Sequence, residues 1–138
     1  MMRAVPAILS YDRANNIVFM HFAAAEELQT KKEIGDHFAR VIEFWRAEAA
    51  GKKAYFVVNL ENITINPQEL EFYAEESKRA HALCALVSVR YGGNPIQRTL
   101  TRLAGMKIHR PSNIYETREE AMQVVRALAS GQIKARTT

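Results

Sequence analysis

Along the chain the apolar positions switch between strand spacing and helix spacing, and each switch predicts an element. Val5 to Leu9 and Ile17 to Phe22 read as short strands around Tyr11-Asp12-Arg13-Ala14-Asn15-Asn16. The paired asparagines tolerate positive φ and favour a hairpin. Pro6 donates no ladder hydrogen bond, which places the first strand at a sheet edge. Ile34, Phe38, Val41, Ile42 and Trp45 then fall on one stripe of a helix over residues 30–49, with Gly51 as its stop. Tyr55 to Val58 and Cys84 to Val89 are unbroken apolar runs, as expected of strands covered on both faces.

Between those runs a helix starts with Asn66 as cap, Pro67 in the first position and Glu69 three after the cap. Its inner face is expected to be Leu70, Tyr73, Ala74 and Ser77. After Gly92-Gly93-Asn94-Pro95 the spacing predicts another helix with Ile96, Leu100, Leu103 and Ala104 on one side. Ile114-Tyr115 reads as a last short strand. Thr117-Arg118-Glu119-Glu120 is a capping box for a helix that buries Ala121, Val124, Val125 and Leu128.

The order β-β-α-β-α-β-α-β-α predicts an α/β fold. It is one mixed, mostly parallel sheet of about five strands with an N-terminal hairpin and four main helices. A length of 138 residues suits a single domain, with a core over about residues 3–130 and a polar tail at 131–138. The 48% hydrophobic and 25% charged residues fit an ordinary globular protein rather than a disordered one. No stretch approaches the roughly 18 apolar residues of a membrane span, and Ala4–Leu9 is too short for a signal peptide. A cytoplasmic location is therefore expected. The single cysteine, Cys84, excludes an internal disulfide framework and a multi-cysteine metal site.

Several segments carry a family resemblance. Val57-Val58-Asn59-Leu60-Glu61-Asn62-Ile63-Thr64 resembles the strand and turn that reads apolar-apolar-Asp-Leu-Ser-Gly-Val-Thr in STAS domains. Gly105-Met106, Ile114-Tyr115 and Thr117-Arg118-Glu119-Glu120-Ala121 are similar to that family's closing strand and Glu-Glu-Ala helix. Pro67 to Ala74 resembles a branch of bacterial STAS-like proteins more than it does the regulators. The resemblance spans about residues 10–130 and implies the fold of anti-sigma factor antagonists and of sulfate-transporter tails. It implies a non-enzymatic regulatory or protein-interaction module. The family's helix usually opens Asp-Ser-Ser-Gly, whose serine is phosphorylated to switch partner binding. Asn66-Pro67-Gln68-Glu69 stands here without a hydroxyl, so that switch does not carry over. Thr64 is the nearest hydroxyl, and a phosphate there would be opposed by Glu61 and Glu69.

The chemistry-bearing residues are sparse. His21, His37, His81 and His109 stand far apart without metal-ligand spacing. No nucleophile elbow, Walker loop or Gly-x-Gly-x-x-Gly occurs. No catalytic residue, metal or cofactor is assigned. Cys84 reads as a small buried hydrophobe at the start of its strand. The glycine-rich turn joins a strand to a helix, where α/β sheets often hold ligands. Arg90, Gly92, Gly93, Arg98 and Arg102 are accordingly the candidate anion-binding set. The tyrosines form no aromatic ladder among basic residues, so nucleic-acid binding is not expected.

Charge adds the last feature. The net charge of +4 conceals two opposed blocks. Residues 60–76 hold five glutamates and no Lys or Arg, whereas residues 77–115 hold seven basic residues and no Asp or Glu. A polarised surface of this kind suits a charged protein partner or a second copy of the chain, if the blocks do not neutralise each other within the fold. Glu61, Asn62, Thr64, Asn66, Glu69 and Tyr73 form the candidate interaction surface, with the arginine-bearing helix beside them. The alternative is a small anionic or lipid ligand held with Arg98 or Arg102 at the mouth of a cavity. A cavity of several hundred cubic ångströms distinguishes that case from a flat charged face.

Overall fold

The hairpin closes where the asparagines lead. In the computed structural model, which describes residues 7–23, 26–107 and 113–132, Asn16 takes a φ of 57° between β1 (Ile8–Asp12) and β2 (Ile17–His21). The Tyr11 hydroxyl donates to Asn16 Oδ1 at 2.7 Å, which fixes the turn. The first strand runs later than its apolar residues suggest, because Tyr11 and Asp12 extend the ladder opposite Val18 and Ile17. It is an edge strand; Val5 and Pro6 lie outside the described residues.

The helix α1 (Lys31–Ala49) starts at a reciprocal capping box, Thr30 with Glu33, and ends on Ala50 in the left-handed region before Gly51. Trp45 is buried and its indole N–H donates to Lys52 O at 2.8 Å, tying the helix end to the next strand. That strand, β4 (Ala54–Asn59), lies at the centre of the sheet order β1-β2-β4-β6-β7. The strands β6 (Ala85–Tyr91) and β7 (Ile114–Tyr115) complete it. All neighbours after the hairpin are parallel. Two short segments absent from the sequence reading, β3 (Glu26–Leu28) and β5 (Ile63–Ile65), form a separate parallel pair. At three residues each they are too short to leave a periodicity.

A 3-10 turn at Pro67–Glu69, capped by Asn66, leads into α2 (Leu70–Cys84). The apolar run beginning at Cys84 is not one strand. Cys84 is the last helical residue of α2 and Ala85 the first of β6, with no turn residue between them to mark the change. β6 is also less covered than its composition suggests, since Leu86 is exposed. α3 (Pro95–Lys107) packs on α2 and β5, and α4 (Arg118–Ala129) packs on β4, β6 and β7. Thr117 caps α4 through Glu120 N, as its box predicts.

The sheet divides two interiors. Ile17, Val57, Val89, Ala121 and Val125 form a buried cluster on the α4 side. The other side packs against α1 and α2 through Phe38, Val41, Phe56, Val58 and Leu60. Strand alternation produces this split, since β4 sends Phe56 and Val58 one way and Val57 the other. No helix among the described residues is long and apolar enough to cross a membrane.

Candidate functional site

The carboxyl ends of β4 and β6 carry the loops that the sequence singles out. Asn59 Oδ1 accepts the Glu61 N–H at 2.9 Å, and Asn62 occupies a φ of 69° while its amide donates to Phe22 O at 2.8 Å. Asn66 caps the turn through Gln68 N and donates to Gln29 O at 3.0 Å. Asn62 and Asn66 therefore stitch β5 to the segment around β3. Glu61 and Thr64 are exposed, with Thr64 in the middle of β5 opposite Glu27 rather than in a turn. Glu69 is half-buried. Tyr73 turns inward onto Phe38, ring centroids 5.3 Å apart. Five of the six candidate interaction residues thus share one rim, and the sixth belongs to the interior.

The anion candidates do not converge on the glycine turn. Asn94 and Gln97 cap α3 reciprocally, each side chain accepting the other's backbone N–H, at 2.8 and 2.7 Å. Those amides are thereby occupied, and Pro95 has none to offer. The Arg98 Nε donates to Gly92 O at 2.9 Å and Nη1 lies 3.4 Å from Glu116 Oε1, so this arginine fastens the turn. Arg102 is exposed on α3. Gly93 sits at φ +80° with room for no side chain, because a Cβ would stand 2.9 Å from Leu60 Cβ.

Arg90 goes elsewhere. It lines a cavity of about 60 Å³ between the sheet and the pair α1–α2, together with Tyr73, Ser77, His81 and Ser88. Burial lowers the Arg90 pKa and raises that of Tyr73. At neutral pH the pair is a guanidinium cation beside a protonated phenol. Cys84 also borders this space; burial pushes its thiol up to about 11, which makes it inert as a nucleophile. His37 is buried between Phe22 and Phe38 and held neutral, its pKa lowered to about 4 by burial and by Arg40. No group of three or more His, Cys, Asp or Glu that could hold a metal occurs among the described residues. His109 and Arg110 lie outside them.

The surface of α3 departs from the expected amphipathic pattern. Thr101 and Ala104 face inward, while Ile96 is 70% exposed, Met106 69% and Leu103 41%. The inner side of α3 is taken up by Thr101, Ala104 and Gln97, whose amide donates to Ile63 O at 2.9 Å. The longer apolar side chains consequently point outward beside Arg102. The acidic block runs through the first turns of α2, where carboxylates suit the helix dipole, and Glu76 pairs with Arg79 on the same helix at 2.8 Å.

Among solved structures the chain is similar to the anti-sigma factor antagonist SpoIIAA in its unphosphorylated form. The TM-score is 0.57 at 15% identity, covering 88% of this chain and 96% of that one. The phosphorylated form of the Bacillus cell fate determinant SpoIIAA gives 0.50 at 15% identity, covering 87% and 99%. The fold is STAS-like. SLC26A9 contains a similar region, with a TM-score of 0.55 at 6% identity over 94% of this chain and 25% of that protein. The sequence itself matches no family model and no curated protein. The STAS-like architecture agrees with the expected mixed sheet, N-terminal hairpin and four helices.

Proposed function

We propose that this STAS-like domain is a non-enzymatic regulatory module that docks a protein partner through a preformed surface. The surface combines the rim Glu61, Asn62, Thr64, Asn66 and Glu69 with the outer side of α3. The observation that carries this reading is the stripe Ile96, Leu103 and Met106, three large apolar side chains left in solvent beside the cation Arg102. Exposed apolar groups bordered by charge are a common form of interaction patch. The partner fitted to it has an apolar centre, an acidic flank toward Arg102 and a basic flank toward Glu61 and Glu69. Docking needs no phosphoserine: the segment leading into α2 is Asn66-Pro67-Gln68-Glu69, a 3-10 turn that Asn66 already caps.

Affinity capture from the native host tests this with the wild-type chain and the variant Ile96→Asp/Arg102→Glu. Both positions are exposed, so the fold survives. A defined partner, held by the wild type and lost at least tenfold with the variant, is the expected outcome. Sedimentation at several concentrations reports in parallel whether the partner is a second copy. An unchanged set of captured proteins and unchanged self-association would remove α3 from the interface.

A further inference from the structure

The outward positions of α3 follow a fixed spacing. Ile96, Thr99, Leu103 and Met106 stand three, four and three residues apart, and all four are exposed. This is the a and d spacing of a helix that packs along another helix, continued over about 15 Å. Gln97, Thr101 and Ala104 lie on the opposite side, toward β5 and α2, so the stripe faces solvent. The other helices lack such a stripe. Among the described residues α1 and α4 expose no large apolar side chain, and α2 exposes only Leu83.

Charge decides the occupant. Arg102 and Lys107 flank the stripe at the g and e positions, and α3 contains no Asp or Glu. Such flanking charges set which helices pair and in which direction. A parallel second copy would bring Arg102 of one chain against Lys107 of the other, because each g position meets the following e. An antiparallel copy would turn about residue 101 and bring the two Arg102 side chains together. Both arrangements oppose like charges, so the stripe is fitted to a helix other than its own. Taking α3 as the docking surface, we infer that its occupant is an acidic amphipathic α-helix. Its apolar side lies along Ile96, Thr99, Leu103 and Met106, and its carboxylates meet Arg102 and Lys107. About three turns span the stripe. Arg98 takes no part, since Gly92 O and Glu116 already hold it. The partner's basic flank, which meets Glu61 and Glu69, belongs to another part of it.

Three peptides of about 18 residues, long enough to hold a helix once docked, test this on the full chain. One carries Leu at a and d with Glu at e and g, the second has Lys at e and g, and the third scrambles the first. Binding is followed by amide chemical shifts of the chain and far-UV circular dichroism of the mixture. The Glu peptide is expected to bind saturably, to gain helix and to shift Ile96 to Lys107. The Lys and scrambled peptides are expected to bind at least tenfold more weakly. Arg102→Glu/Lys107→Glu changes two exposed positions and is expected to reverse the preference, so that the Lys peptide binds at least tenfold more tightly. Preference of the wild type for the Lys peptide, equal binding of the scrambled one, no gain of helix, or no saturable binding would each overturn the proposal. An unreversed preference, or dimerisation of the wild type through α3 in sedimentation, would do so too. If no peptide binds yet a partner is captured through α3, the docking surface stands and its occupant is not a helix. If capture fails as well, the docking surface falls with it.

Discussion

The two faces of the sheet are built from neighbouring residues of the same strands and differ in kind. Toward α4, Val57 pairs with Val89 and Tyr55 with Val87, a dry apolar layer closed by Ala121 and Val125. Toward α1 and α2, the next residues along β6 are Ser88 and Arg90, and a cavity remains. One face is spent on cohesion. The other carries polar groups where apolar ones would pack better, the usual pattern where a fold accommodates something besides its own stability.

Adjacent substitutions on β6 sharpen that contrast. Val89→Ser removes buried methyl groups from the dry face and leaves a hydroxyl without water, an expected loss of about 3 kcal/mol in urea unfolding. A loss below about 1 kcal/mol would mean that the two faces are equally tolerant.

Acid breaks the comparison from the other direction, because His37, buried and neutral, lies on the α1 side. The His37 value of about 4 in the folded chain is below its ordinary 6.5, so the unfolded chain takes up the proton first. Stability is therefore complete above about pH 6.5 and falls as the pH drops toward 4, by at most about 3 kcal/mol. Comparison of unfolding at pH 7 and pH 4.5 for wild type and His37→Leu isolates this contribution; the variant is expected to show the shallower decline, and equal slopes would assign it to other groups. The smallest effect belongs to Ser88→Val, which adds apolar contacts in the cavity and suits a strand. It is expected to stabilise by about 1 kcal/mol, the opposite sign to its neighbour, and differential scanning calorimetry resolves it.

Much of this architecture is legible in the residues alone. The α1 stripe, the Asn66 and Thr117 caps and the Asn16 turn are local signals, and local geometry realises them. The misread elements depend on distant partners. β3 and β5 exist only because they pair across more than thirty intervening residues. The orientation of α3 is set by its packing on α2 and β5, where Gln97 bonds Ile63 O, and its hydrophobic spacing does not encode this. The interior place of Arg90 did leave a trace. From Leu86 onward β6 alternates, Val87, Val89 and Tyr91 against Ser88 and Arg90, a period of two hidden when Cys84 to Val89 is read as one apolar run.

The loopless junction between α2 and β6 has a mechanical consequence. With Cys84 helical and Ala85 already paired to Ala54, no slack segment absorbs motion between them. β6 is held on both sides by β4 and β7. The helix is thus clamped at its C-terminal end, and any shift of α2 there is passed directly to the pairing of Ala85 with Ala54.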